Sequence, residues 1–117
     1  MTQNKERQYK VSRDATAGWE GEHQLIHTQS SSMRLWENEE PADTEGKQPK
    51  TNDYDTLGYV IKGRVELIIE GQTIDLREGD SYLVPRGVEH TYRVAESLTA
   101  VEVTTPSTYR PPSHEQG

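Results

Sequence analysis

The segment Gly79-Asp80-Ser81-Tyr82-Leu83-Val84-Pro85-Arg86-Gly87-Val88-Glu89-His90 constrains this chain more than any other. Glu78-Gly79-Asp80 predicts a tight turn, because glycine reaches backbone angles that other residues avoid. The run from Tyr82 to Val84 is short and apolar, as a strand would be. Pro85 ends it by withdrawing a backbone donor. Arg86-Gly87 then turns the chain again. His90, Tyr92 and Val94 follow at period two and share one face of the next strand. The segment therefore predicts a hairpin that sets one histidine at the mouth of a β structure.

The rest of the chain has the same character. Gln24 to His27 makes a first short strand. Next come Met33 and Leu35, alternating with Arg34 and Trp36. Asp55 to Ile61 is a further strand, with Tyr59 in the core. Lys62-Gly63 turns into Arg64 to Glu70, where Val65, Leu67 and Ile69 alternate with Arg64, Glu66 and Glu70, the pattern of a half-buried strand. Gly71-Gln72 is another turn, leading to Thr73 to Leu76. Leu98 to Thr104 closes the set, with Val101 and Val103 on one face. Glu37 to Asn52 is a long polar loop containing Pro41, Gly46 and Pro49, and loops of that length are usually functional or mobile. About eight short strands close together, with no helical pattern, call for an all-β sandwich or barrel.

The 117 residues make one domain. Hydrophobic content is only 30%, and the deficit lies largely at the ends. The expected division is a polar N-terminal arm over 1–22, with Trp19 its one large apolar side chain, a barrel over 23–105 and a C-terminal tail over 106–117. The segment near Trp19 either packs on the body or belongs to a disordered tail. A net charge of -7 disfavours nucleic acid and anionic membrane surfaces. No apolar run approaches the roughly 20 residues of a membrane span. The first residues lack the apolar centre of a signal peptide. There is no cysteine, hence no disulfide, thiol nucleophile or thiolate metal site. A cytoplasmic location is the expectation.

The spacing in the opening segment carries a resemblance. Gly79, five residues, Pro85, one, Gly87, two, His90 resembles the second motif of the cupin superfamily, with Val94 where that motif usually closes with Asn. The resemblance covers roughly Ser31 to Thr104 and implies a small jelly-roll barrel of antiparallel strands. It also implies a first motif with two His and a Glu that join the His of the second motif around a divalent metal. Gly63 fits the closing glycine of that first motif. Counting back from it, Thr56 stands at the Glu position. Asn52 and Lys50, or Thr51 and Pro49 in the longer spacing, stand at the His positions. Thr44 or Asp43 replaces the opening glycine.

A divalent ion wants imidazole or carboxylate lone pairs. Asn52 offers a neutral carbonyl, Thr56 a weak hydroxyl and Lys50 a positive charge. Of the family's four ligands only His90 remains as a possible metal ligand. Asp53 or Glu102 are the carboxylates from which a rebuilt site would draw, whereas Asp55 should face away from Thr56.

Three functions follow as expectations. The first is a cupin-like protein that binds a small polar or anionic molecule without the usual metal. Lys50, Asn52, Thr56, His90, Tyr92 and Glu102 are its pocket candidates, and Lys50 supplies the charge for an anion. The second is a metal-dependent enzyme, such as a dioxygenase, isomerase or decarboxylase, with an altered ligand set. The third is a metal-free epimerase- or isomerase-like catalyst, with His90 as base and Lys50 or a Tyr as acid. Lys50 on a solvated loop edge and His90 as a hydrogen-bonded core residue are the plain readings beside these. Tyr82 and Tyr92 read as packing residues, Trp36 as a packing or subunit contact, and Arg86 as a solvated turn residue. His23, His27 and His114 read as surface residues. Small relatives of this kind are commonly homodimers, and edge strands need cover.

Overall fold

The computed structural model describes residues 9–16, 21–42 and 48–110. Trp19, the two positions aligned with the opening glycine of the first motif (Asp43 and Thr44), and His114 lie outside them. The described residues hold six strands and a single three-residue 3-10 turn at Arg13–Ala15. The strands are β1 (Glu22–His27), β2 (Ser32–Glu39), β3 (Asp55–Ile69), β4 (Gln72–Arg77), β5 (Ser81–Val84) and β6 (His90–Thr105). Every pairing between them is antiparallel. The order across the sheet is β1-β2-β6-β3-β4, with β5 also on β3. The fold is the expected all-β jelly roll.

Six strands rather than about eight arise because β3 and β6 each run through both walls of the barrel. The first part of β3 pairs with β5 and with the C-terminal part of β6. The second part pairs with β4 and with the N-terminal part of β6. Between them the register shifts repeatedly from Val60 to Val65. Gly63 sits there at φ 94°, and a Cβ on it would collide with the carbonyl of Ser97. Lys62-Gly63 is thus not the expected turn between two strands. It is a bulge that bends one strand from wall to wall, and a bend keeps the ladder that a turn would break.

The core is Val60, Val65, Leu67, Ile69, Leu76, Val84, Leu98 and Ala100. On one wall the alternation works as expected, with Val65, Leu67 and Ile69 inside. On the other wall it is reversed. Ser32, Thr56, Glu102 and Thr104 are buried, while Leu57, Tyr59, Ile61 and Leu83 face outward and are 56%, 47%, 43% and 52% exposed. Tyr59 is therefore a surface residue, contrary to its expected place in the core. Period two separates two faces of a strand but does not say which is inside.

The segment after β6 folds back along β1 and β2. The Thr108 amide donates to Ser32 Oγ at 2.9 Å. The amide of Arg110 and the side-chain amide of Gln24 exchange two hydrogen bonds of 2.8 Å. Tyr109 stacks on His27 with ring centroids 3.7 Å apart.

Candidate functional site

The reversed wall and the His90 end of β6 enclose a cavity of about 670 Å³. Lys50, Asn52, Thr56, His90, Tyr92 and Glu102 all line it. Residues 50–56 and His90 are brought together by an isolated backbone bridge. The Lys50 amide donates to the His90 carbonyl at 3.0 Å, and the His90 amide donates back to the Lys50 carbonyl at 3.0 Å. Gly87 adds a 2.8 Å hydrogen bond from its amide to the Asn52 carbonyl. The turn Arg86-Gly87 is held from below, where the Arg86 amide donates to Asp55 Oδ1 at 2.8 Å. Asp55 thus faces away from the cavity that Thr56 lines, as strand alternation requires.

The centre of the reversed wall is one cross-strand row: Gln24, Arg34, Glu102, Gly58 and Tyr82 are paired in succession on β1, β2, β6, β3 and β5. Gly58 is the key to this row. A Cβ there would overlap the far end of the Tyr82 ring, so only glycine lets that ring lie across β3. The Tyr82 hydroxyl then reaches Glu102 Oε2 and donates a 2.6 Å hydrogen bond. Glu102 Oε1 accepts from Arg34 Nε at 2.8 Å and from Trp36 Nε1 at 3.0 Å. Arg34 Nη1 also lies 3.9 Å from Glu22, and its guanidinium sits over the rings of Trp36 and Tyr54 at 5.5 and 5.8 Å.

Electrostatics follow from this geometry. Burial is the largest single influence and works against the Arg34 charge, but Glu102 and Tyr54 together outweigh it and raise the guanidinium above its ordinary value. Burial, and then the charge of Glu102, push the Tyr82 and Tyr92 phenols far upward, so both keep their protons. Folded tyrosines that retain protons the unfolded chain releases above pH about 10 make stability fall as pH rises. Below that pH both states hold the proton and the contribution is complete. Denaturant unfolding between pH 8 and 11 should show this loss, and the paired change Tyr82→Phe with Tyr92→Phe should shrink it. An equal alkaline loss in the variant would contradict the assignment.

His90 is only 2% exposed. Its Nδ1 lies 3.0 Å from the Val88 carbonyl. A carbonyl only accepts, so Nδ1 carries the hydrogen and the neutral ring keeps its lone pair on Nε2. No described residue bonds Nε2. Among the described residues no buried side-chain polar atom lacks a partner, so Nε2 opens to the cavity. Tyr92 stands edge-on to the ring, with centroids 5.5 Å apart.

The residues at the family's ligand positions do not suit a divalent metal. His90 offers one lone pair, while Lys50, Asn52 and Thr56 offer a charge of the wrong sign and two neutral oxygens. Glu102 has both oxygens engaged by Arg34, Trp36 and Tyr82. Asp53 is not among the cavity residues. Among the described residues no three His, Cys, Asp or Glu gather as a metal site would require.

Several lining residues were not among the sequence candidates. In the sequence only its place in an alternation marks Arg34, and Trp36 reads as a packing or subunit contact. Both face the cavity, as do Tyr54, Tyr82, Thr108 and Arg110. The alternation of β2 carried the signal for Arg34 and Trp36, since one of its two faces had to be inside. Nothing in the sequence pointed to Gly58. The plain readings hold for Arg86, which is more than half exposed. His23 is half-buried and lies 3.2 Å from Glu37. His27 is exposed and carries the Tyr109 ring.

A small antiparallel jelly-roll barrel with a polar cavity between its walls defines the class. The cupin domain model, Cupin_2, matches residues 35–105, and the chain belongs to that family. It is 30% identical over 57 residues to acetate kinase EutQ of Clostridioides difficile (strain 630), a match covering 49% of this chain and 36% of EutQ. The matches span at most about two fifths of the length of the curated relatives. Among solved structures, KdgF from Halomonas sp. superposes with a TM-score of 0.66 at 18% identity, covering 90% of this chain and 96% of KdgF. Streptomyces Pac13, described as a nucleoside dehydratase, superposes with a TM-score of 0.70 at 16% identity, covering 88% and 86%. At such identities the likeness is one of fold.

Proposed function

We propose that this protein binds a small polar or anionic organic molecule in its barrel without the family's divalent ion. One observation carries the reading: the polar groups of the cavity divide into a satisfied set and an open set. Arg34, Trp36, Tyr82 and Glu102 satisfy one another and form a rigid floor. Among the described residues, the Lys50 ammonium, the Thr56 hydroxyl, His90 Nε2 and the Asn52 side chain line the same cavity with no side-chain hydrogen bond or ion pair of their own. A cation, an amide, a hydroxyl and an imidazole with an open lone pair suit a molecule that carries an acidic group and a hydroxyl. Trp36, Tyr54, Tyr82 and Tyr92 give the cavity aromatic walls on which a ring can rest.

Calorimetric titration with glucuronate and glucose, and with benzoate and benzyl alcohol, tests this. The acid of at least one pair is expected to bind about tenfold or more tightly than its neutral partner, a difference of about 1.4 kcal/mol. Lys50→Met combined with Asn52→Ala should abolish that preference while leaving the thermal midpoint unchanged. Added chelator or divalent metal should leave affinity unchanged. Affinity indifferent to the paired substitution, or stoichiometric metal in protein purified without a tag or added metal, would defeat the proposal.

A second reading is favoured by the His90 tautomer. An imidazole held by its Nδ1–H, with Nε2 open to the cavity, is oriented to accept a proton. Lys50 or a tyrosine would serve as the acid, in a metal-free isomerisation or elimination. Pac13 shows that a barrel of this shape is known among dehydratases. In both readings the working unit is a homodimer in which each subunit holds a complete cavity.

A further inference from the structure

The cavity changes character along its length. β6 turns His90, Tyr92 and Val94 toward it at period two. Lys50 is bridged to His90, and four residues of strand carry the wall about 13 Å from there to Val94. Val65 is the partner of Val94 on β3, and Leu98 follows just past the bend of β6. Trp36 stands beside Leu98, paired with Ala100. Val65, Val94, Leu98 and Trp36 line this far end of the cavity, and Val65 and Leu98 are buried. Val94 occupies the position where the second motif usually has Asn, so β6 brings no amide here. The Trp36 indole N–H is already given to Glu102. Two carboxylates flank the apolar end, Glu22 of β1 opposite Trp36 and Glu39 of β2 opposite Leu98. Glu22 lies 3.9 Å from Arg34, and Glu39 Oε2 lies beside Gly21.

We propose, resting on the anion-site reading above, that the ligand is an amphiphilic acid, with its carboxylate on Lys50 and Asn52 and its hydrocarbon body against Val65, Val94 and Leu98. Charge sets the direction. The Lys50 ammonium attracts a carboxylate to the His90 end, whereas Glu22 and Glu39 repel it from the far end. Solvation sets the same direction. A carboxylate at the far end would exchange its water for Val65, Val94 and Leu98, which offer no donor. A hydrocarbon there gives up no hydrogen bond and gains by leaving water. Between the two ends lies the ring of Tyr92, which stands edge-on to His90 and gives the body an apolar surface to follow.

Calorimetric titration of the full chain with butyrate, hexanoate and octanoate is expected to show affinity rising about tenfold at each step, the gain for burying two methylenes. The ω-amino acid ε-aminohexanoate is expected to bind about a hundredfold more weakly than hexanoate, because its ammonium would lose its water at the apolar end. Val94→Thr, which keeps the shape and adds a hydroxyl, should weaken octanoate by about tenfold and leave butyrate within about twofold. Val94→Leu, which fills this end, should move the tightest binder from octanoate to hexanoate. An acid preference without a chain-length gain, or tighter binding of ε-aminohexanoate than of hexanoate, would overturn the amphiphilic ligand and leave the anion site standing. A chain-length gain undiminished in both variants would overturn the assignment of this end. Octanol binding as tightly as octanoate would instead defeat the anion site itself.

Discussion

Replacing Glu102 by alanine is expected to destabilise the fold by about 3 kcal/mol, since removing one partner of a buried ion pair strands the other charge. Glu102 is 4% exposed and accepts from Arg34, Trp36 and Tyr82 at once. Without it the Arg34 guanidinium, which burial already disfavours, has Glu22 at 3.9 Å as its one remaining carboxylate among the described residues. The indole N–H and the phenol also lose their acceptor, and an unmet buried donor costs about 1–3 kcal/mol. A thermal midpoint lower by roughly 10 °C is the corresponding shift for a domain of this size. Exchanging both members of the pair, Arg34→Leu with Glu102→Leu, should recover much of the loss, because the buried guanidinium is then no longer stranded. Denaturant unfolding of the three proteins decides the matter. A single Glu102→Ala variant as stable as the wild type would show that the pair is solvated and contributes little.

Gly58→Ala is expected to cost about 2 kcal/mol, the scale of an overpacked site. The new methyl would fall on the Tyr82 ring, and the ring would have to leave β3 and give up its 2.6 Å hydrogen bond to Glu102. The penalty belongs to the pair rather than to residue 58. In a Tyr82→Ala background the same substitution should cost well under about 1 kcal/mol, a coupling that a double-mutant cycle reads directly. Ligand affinity should fall with Gly58→Ala as well, because Tyr82 lines the cavity. Strictly additive effects would mean that the ring makes room without loss.

Much of this architecture was legible before any coordinates. Alternation at Val65, Leu67 and Ile69 marked a strand and its buried face. The spacing from Gly79 to His90 marked the hairpin, and the spacing back from Gly63 named Lys50, Asn52 and Thr56 as neighbours of His90. All four line one cavity. Misreadings occurred where one pattern had two physical solutions. Lys62-Gly63 fits a turn and a bulge equally well, because both use the left-handed backbone that glycine permits. Tyr59 reads as a core residue because large, mostly apolar side chains usually are inside. It lies outside because the opposite face of the strand is the inner one, with Thr56 lining the cavity and Val60 in the core. Arg34 and Trp36 stood on one face of β2 in the sequence, yet nothing local said that a charged face would be the inner one.

The sequence by itself determined the local elements and the chemistry available. Hydrophobic period, glycine and proline act over a few residues, and the absence of cysteine and the acidic balance belong to the chain as written. Only the tertiary structure decided which face of each strand is inside, and that Glu102 would be held by Arg34, Trp36 and Tyr82 rather than stand free. Those outcomes depend on contacts between residues 20 to 68 positions apart, and the energy of a buried charge is set by the partners that surround it rather than by its neighbours along the chain.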